Sequence, residues 1–460
     1  MVSPTEVGAM ELGEAILAVG AGDRAASFEL FNETLETEWI AQALQATGTA
    51  TIRRRKLPAE YVVWLVIGMG LLRDRSIREV VRHLDLVLPT RAGRGTVSGA
   101  AIAQARDRLG PEPLAALFAQ TAAVWSPAAA EEDRWHGLAV YGVDGTTLRV
   151  PDTAENEAAF GRVKTRWEST GGYPQLRLVA LMVLGHHLLT GLALGAFDDS
   201  ELALATTLWP QLPDASVVLI DREFAVYALF HQLGDPTRQR HWLTRAKTGA
   251  TALRRRPVAR LGPGDHLVDL TPSHQTRRNH QELPPTLRVR AIRYQRRGFR
   301  AQTLLTSLLD PVAYPAAALI ALYHERWELE LGFDEVKTHT LEREEALRSK
   351  TPARITQEVF GLAIGYNLVR LAMARVAARA RVPPVRISFR HALQFIRLFW
   401  LTAWTASPGV LPRRLEALHD ELALLILPER RPERRYPRAV KIKMSNYPRK
   451  RPRRRRIRVK

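Results

Sequence analysis

Two aspartates stand where chemistry could be placed: Asp144 closes the apolar run Leu138 to Val143, and Asp221 closes Val217 to Ile220. Both runs read as short buried strands, and an α/β sheet presents its polar groups beyond its strand ends. One strand-end Asp commonly caps a turn. Two gain meaning if a third carboxylate joins them, because a pair of Mg2+ ions about 3.5–4 Å apart needs shared hard oxygen ligands. Candidates lie on the long helix expected after Pro315, from Ala316 to Thr338. At about 100° per residue from Tyr323, the residues Arg326, Glu330 and Lys337 fall within one strip about 60° wide. Glu325, Glu328 and Glu335 point elsewhere. Taken alone, the strip reads first as a solvated charged face with pairs such as Arg326 and Glu330.

The elements needed to hold these groups are legible. Pro58 to Leu72 has helical apolar spacing, Ser76 caps a helix running to about Leu84, and Ser98 caps another from Ala100 to Leu109 that carries Arg106 and Arg108. These helices form either a helix-turn-helix-like unit or a plain bundle. From Gly137 the texture becomes strand-like. Leu176 to Leu184 and Leu188 to Ala196 are strands that His186 and His187 join in a hairpin, and those histidines read as turn residues rather than Mg2+ ligands. Asp198 to Glu201 start a helix before Leu202, and a further helix covers Phe224 to Leu233. Leu304 to Leu308 is another strand, with helices again at about 353–380 and 388–404. Strands interspersed with helices indicate an α/β core.

The 460 residues imply more than one domain, and 67 Lys plus Arg against 47 Asp plus Glu give a net charge of +20. That balance suits a polyanionic partner. It is unevenly spread. Residues 430–460 hold 16 Lys plus Arg and one acid, and read as a disordered arm for phosphate contacts. Residues 236–300 hold another 16 against three acids. There Leu287, Val289, Ile292 and Tyr294 interleave with Arg288, Arg290, Arg293 and Arg296, which predicts a basic sheet with one Arg-rich face. The remainder is net acidic. Without cysteine there is no disulfide scaffold, thiolate zinc site or Cys nucleophile, which suits a reducing cytoplasm. Met1 to Gly13 lacks the pattern of a secretory signal, and no apolar stretch reaches the roughly 20 residues of a membrane span.

Tyr323-His324-Glu325-Arg326-Trp327-Glu328-Leu329-Glu330 with Lys337 fits Tyr-x2-Arg-x3-Glu-x6-Lys, and in this it resembles the DDE transposases of bacterial insertion sequences, in the branch named after insertion sequence four. Asp144-Gly145-Thr146 and Val218 to Glu223 are similar to that family's two Asp motifs. The basic stretch within the 109-residue interval from Asp221 to Glu330 resembles its β insertion. Similar, too, are Arg53 to Ile77 and Ala105 to Gly110 to the amino-terminal domain, and Lys443 to Pro448 to a recurrent carboxy-terminal stretch.

The resemblance implies an α/β fold with a ribonuclease-H-like catalytic core at 131–345, interrupted by a basic β insertion at about 245–303. Around it would stand an all-helical DNA-binding domain at 1–130, a helical region at 346–428 and a basic tail at 429–460. It implies that Asp144, Asp221 and Glu330 are catalytic and hold two Mg2+ ions, replaceable by Mn2+. The activity implied is cutting at terminal inverted repeats and joining of 3′ ends to target DNA by in-line phosphoryl transfer. Arg326, Lys337 and Tyr323 would grip phosphates beside the scissile bond. Trp327 would either stack on an extruded base or pack the helix onto the core. Arg222 would touch DNA or form a surface ion pair with Glu223. The partners implied are double-stranded DNA, both transposon ends and target, and a second copy of the chain in a synaptic homodimer; the place implied is the bacterial cytoplasm, at the nucleoid. A nuclease without strand transfer and a non-enzymatic DNA-binding remnant are the alternatives.

Overall fold

The computed structural model describes residues 34–50, 57–84, 86, 96–163, 172–249, 253–296, 300–342, 346–402 and 410–428. Residues 1–33, Arg53 to Lys56, the basic tail and Lys443 to Pro448 within it lie outside the described residues.

The first described helices are α1 (Thr37–Ala46), α2 (Ala59–Leu71), α3 (Ile77–His83), α4 (Gly99–Leu109) and α5 (Glu112–Glu132). Caps set two of their starts. Ser76 Oγ accepts from the Glu79 amide while Glu79 Oε2 accepts from the Ser76 amide, and Ser98 Oγ accepts from the Ala101 amide. Each satisfies amides that the first turn leaves unpaired.

The strands are β1 (Ala139–Arg149), β2 (Gln175–Val183), β3 (Leu188–Ala196), β4 (Ser216–Ile220), β5 (Arg240–Arg245), β6 (Arg254–Gly262), β7 (Asp265–Thr271), β8 (Leu287–Tyr294) and β9 (Gln302–Thr306). They form one sheet in the order β3-β2-β1-β4-β5-β9-β8-β7-β6. β1, β4 and β5 are mutually parallel and the other pairings antiparallel. β4 is buried throughout, as a central parallel strand covered on both faces must be. Between the strands lie α6 (Ala154–Phe160), α7 (Glu201–Thr206, capped by Ser200), α8 (Tyr227–Leu233) and α9 (His274–Asn279).

The basic segment extends this same sheet, through β6, β7 and β8. Its expected Arg-rich face is corrected by the register. Arg288 and Arg290 lie opposite Asp269 and Leu267 on one face, with Ile292, while Arg293 shares the other with Val289. Arg290 is wholly buried, its guanidinium gripping Asp265 and donating to the carbonyls of Asp310 and Tyr314. It therefore serves the fold rather than a solvent-facing grip.

The long helix after Pro315 is broken. α10 (Ala316–Glu325) and α11 (Trp327–Asp334) meet at Arg326, whose amide donates to Tyr323 O while Leu329 donates to Arg326 O, both spans of three residues. Residues Glu335–Thr340 then form a π-helical turn. The uniform 100° advance thus fails at both ends of the strip.

α12 (Pro352–Ala380) follows, then α13 (Phe389–Thr402) and α14 (Leu411–Ala423). By length and composition α12 could cross a membrane, which corrects the expectation that no stretch could, but 78% of its apolar window is buried inside the protein. It packs against α2 at close range. A Cβ on Gly361 would sit 2.9 Å from Val66 O, and one on Gly70 2.9 Å from Leu362 Cα. Arg106 on α4 is buried too, donating to Gln357 and Ser349, which ties the helical block to the start of α12.

Candidate active site

The parallel ladder between β1 and β4 ends at Val143 opposite Ile220. Asp144 and Asp221 are the next residue on each strand, so the two carboxylates leave the sheet side by side. Asp221 ends its strand as expected. Asp144 does not: β1 runs on to Arg149 because β2 continues to pair with it, Asp144 opposite Ala180. Only its partner on the β4 side stops. Burial pushes the Asp144 carboxyl up to about 6, against the Gly145 amide, which donates to Oδ1 at 2.8 Å, and the charge of Arg326. Asp221 and Glu201 add like charge in the same direction.

Helix residues face this pair. Arg326 lies 3.6 Å from Asp144 Oδ2 and 2.9 Å from Glu330 Oε1. Its burial disfavours the charge, but Tyr323, Asp221, Glu330 and Asp144 outweigh that and hold the guanidinium protonated. Lys337, on the π turn, reaches back to β1, Nζ 3.3 Å from Thr146 Oγ1. Tyr323 is 6% exposed, and burial raises its hydroxyl above the ordinary range. Trp327 is 41% exposed at the same break. Arg222, half exposed, pairs with Glu223 at 3.2 Å in the turn after Asp221.

Asp144, Asp221, Glu330, Arg326 and Lys337 thus converge on one sheet edge. Among the described residues no three His, Asp or Glu side chains form a ready-made metal cluster, and a guanidinium stands between Asp144 and Glu330. The donors themselves, carboxylate oxygens without imidazole or thiolate, are those a hard cation takes.

Residues 25–119 match the family described as insertion element 4 transposase N-terminal, and residues 135–368 match the transposase DDE domain. The chain belongs to the insertion element 4 family of DDE transposases. It is 36% identical over 442 residues to the transposase InsG for insertion sequence element IS4 of Escherichia coli K12, covering 95% of this chain and 98% of that relative. It is also 37% identical over 217 residues to the putative transposase InsZ of the same organism, covering 47% of this chain and 71% of that one. Among solved structures, a piggyBac transposase synaptic complex with hairpin DNA aligns at 10% identity and a TM-score of 0.42, over 88% and 86% of the two chains, too loose a likeness to build on. The protein is a transposase, and neither a nuclease without strand transfer nor a non-enzymatic remnant is favoured.

The transposase holds its site with residues that motif reading passed over. His187, in the β2–β3 turn with φ 53°, sets its two ring nitrogens 3.0 Å from Glu328 Oε2 and 3.2 Å from Glu335 Oε2. Tyr366 donates to Glu335 Oε2 at 2.7 Å, and Arg370 lies 3.4 Å from Oε1. Burial opposes the charge on Glu335, but Arg370, His187 and Tyr366 hold its carboxyl down at about 2. Glu328 and Glu335 bracket Glu330, so this buried network fixes the helix carrying it. Placing those glutamates off the strip was the available signal. His186, the other turn histidine, pairs with Glu132 instead.

A second supporting residue is Glu201. A Cβ on Gly145 would lie 2.7 Å from Glu201 Cδ, so the end of that side chain packs directly on the backbone next to Asp144, and Arg177 holds the Glu201 carboxylate.

Proposed function

We propose that this transposase cuts DNA at the terminal inverted repeats of its element and joins the freed 3′ ends to target DNA, using Asp144, Asp221 and Glu330. The observation that carries the reading is the ladder end at Val143 and Ile220, which sets two aspartates side by side facing the Arg326 to Glu330 helix. The run β3-β2-β1-β4-β5, with three antiparallel strands followed by parallel β4 and β5, supports a ribonuclease-H-like core. The matched segments support a division into a helical DNA-binding part at 1–130, a catalytic part at 131–345, a helical region at 346–428 and a basic tail.

Two Mg2+ ions, or Mn2+, held by the three carboxylates would activate the attacking oxygen and stabilise the departing one. The chain's own groups do the rest. Arg326 supplies positive charge between Asp144 and Glu330, and a scissile phosphate brings the anion that draws the guanidinium away from them. Lys337 holds phosphate from the β1 side. Exposed Trp327 offers a stacking face for an unpaired base, which its exposure supports over packing onto the core. Tyr323, buried close to Arg326, offers its hydroxyl to a phosphate, and Arg222 meets DNA at the Asp221 turn. The partners are duplex DNA and a second copy of the chain in the synaptic complex, in the bacterial cytoplasm.

Asp144→Asn, Asp221→Asn and Glu330→Gln each abolish Mg2+-dependent cleavage of an end duplex while leaving end binding intact, measured by gel assay. Cleavage surviving in any of the three would overturn the site assignment.

A further inference from the structure

We propose that β6, the outermost strand of the sheet, is a track for the phosphate backbone of duplex DNA leading out from the Asp221 turn. The proposal rests on the reading of Asp221 as part of the cutting centre.

Seven consecutive residues, Arg254 to Arg260, are exposed, and four of them are Arg. An exposed edge strand invites another strand, but this one resists it. Pro257 lacks an amide hydrogen, and the pairing with β7 is irregular between Pro257 and Ala259 and again between Arg260 and Gly262. What the edge offers a partner is cations rather than a ladder.

The register shows which cations are already engaged. Directly opposed residues share a face. Arg254 and Arg256 lie opposite Thr271 and Asp269, the face where Asp269 engages Arg288 and Arg256 and where Asp265 engages Arg290. Arg255 and Arg260 lie opposite Leu270 and His266 on the other face. That face has no carboxylate among the described residues of β6, β7 and β8.

The face of Arg255 and Arg260 also begins beside the site. Arg255 lines a small cleft with Ala225, Ala246 and Lys247. Lys247 Nζ donates to Glu223 O at 2.9 Å and lies 3.8 Å from Glu223 Oε2, two residues beyond Asp221. Arg255 and, further along the strand, Arg260 therefore lead away from a lysine anchored at the Asp221 turn. From Arg255 to Arg260 the strand covers about 16 Å, the axial length of about five nucleotide steps. A phosphate backbone crossing the site has a matching surface to follow.

The test uses the full chain, a duplex carrying the inverted repeat that flanks its gene, and a scrambled duplex of equal length. Arg255→Gln with Arg260→Gln should lower the slope of log K against log salt by about 2, at about 0.9 per lost phosphate contact, equally on both duplexes. Arg255→Lys with Arg260→Lys should restore the slope. Arg256→Gln, whose cation is engaged by Asp269, should change it by less than about 0.3, well short of the roughly 0.9 of one lost contact. An unchanged slope in the double Gln variant, a loss confined to the repeat duplex, or a full contact's loss of about 0.9 in the Arg256 control would overturn the track. The underlying reading fails separately: if Asp221→Asn still cuts, the site assignment falls whatever the slopes are.

Discussion

Arg326 Nη1 lies 3.6 Å from Asp144 Oδ2, so a helix residue supplies the countercharge to a strand residue that the sheet has partly buried. Burial pushes the Asp144 carboxyl up and Arg326 pulls it back, leaving it at about 6. With Arg326→Gln the restraining charge disappears, and Asp144 should titrate higher than in the unaltered chain. Carboxyl-resolved NMR on the DNA-free chain and on the variant measures this, and an Asp144 pKa no higher in the variant would show that Arg326 does not govern the aspartate.

Glu335 makes an opposite prediction for acid. Its folded pKa, about 2, is depressed below the ordinary 4.5. Its contribution to stability is therefore present above about 4.5 and is lost as pH falls towards 2. Glu335→Gln should destabilise the protein at pH 7 by about 3 kcal/mol, since it leaves Arg370 and His187 underpaired. It should also flatten the fall in stability between pH 4.5 and the acid limit. Urea unfolding at several pH values tests both; a variant with unaltered acid dependence would remove Glu335 from the balance.

Arg290 separates folding from binding within the basic segment. Arg290→Ala leaves Asp265 buried without a partner and should cost about 3–5 kcal/mol. Replacing both partners with apolar residues of similar size should recover much of that. Neither change should alter the salt dependence of DNA binding in protein that remains folded.

The α2–α12 crossing depends on two glycines. Gly361→Ala puts a methyl against Val66 O, and Gly70→Ala puts one against the Leu362 backbone. Alanine favours a helix by about 1 kcal/mol over glycine, yet backbone on the far side cannot give way as a side-chain tip can. Each variant should lose about 1–3 kcal/mol, read as a lower urea midpoint.

The sequence by itself determined the local elements, the family and the chemistry on offer. Ser76, Ser98 and Ser200 start helices because a cap is a contact within four residues. The Tyr323, Arg326, Glu330 and Lys337 spacing was legible for a related reason, since short separations on a helix translate into one surface. Tertiary structure alone decided which charges face the site and which hold the protein together. Arg290 and Arg255 look alike in sequence, but one is buried on Asp265 and the other stands on a face without carboxylates. His187 and Glu335 are 148 residues apart and meet only because the β2–β3 turn reaches the π turn. Even the strip was redrawn, by the break at Arg326 and the π turn after Asp334. A side chain's partner depends on distant backbone arriving at the same point, and no local pattern encodes that meeting.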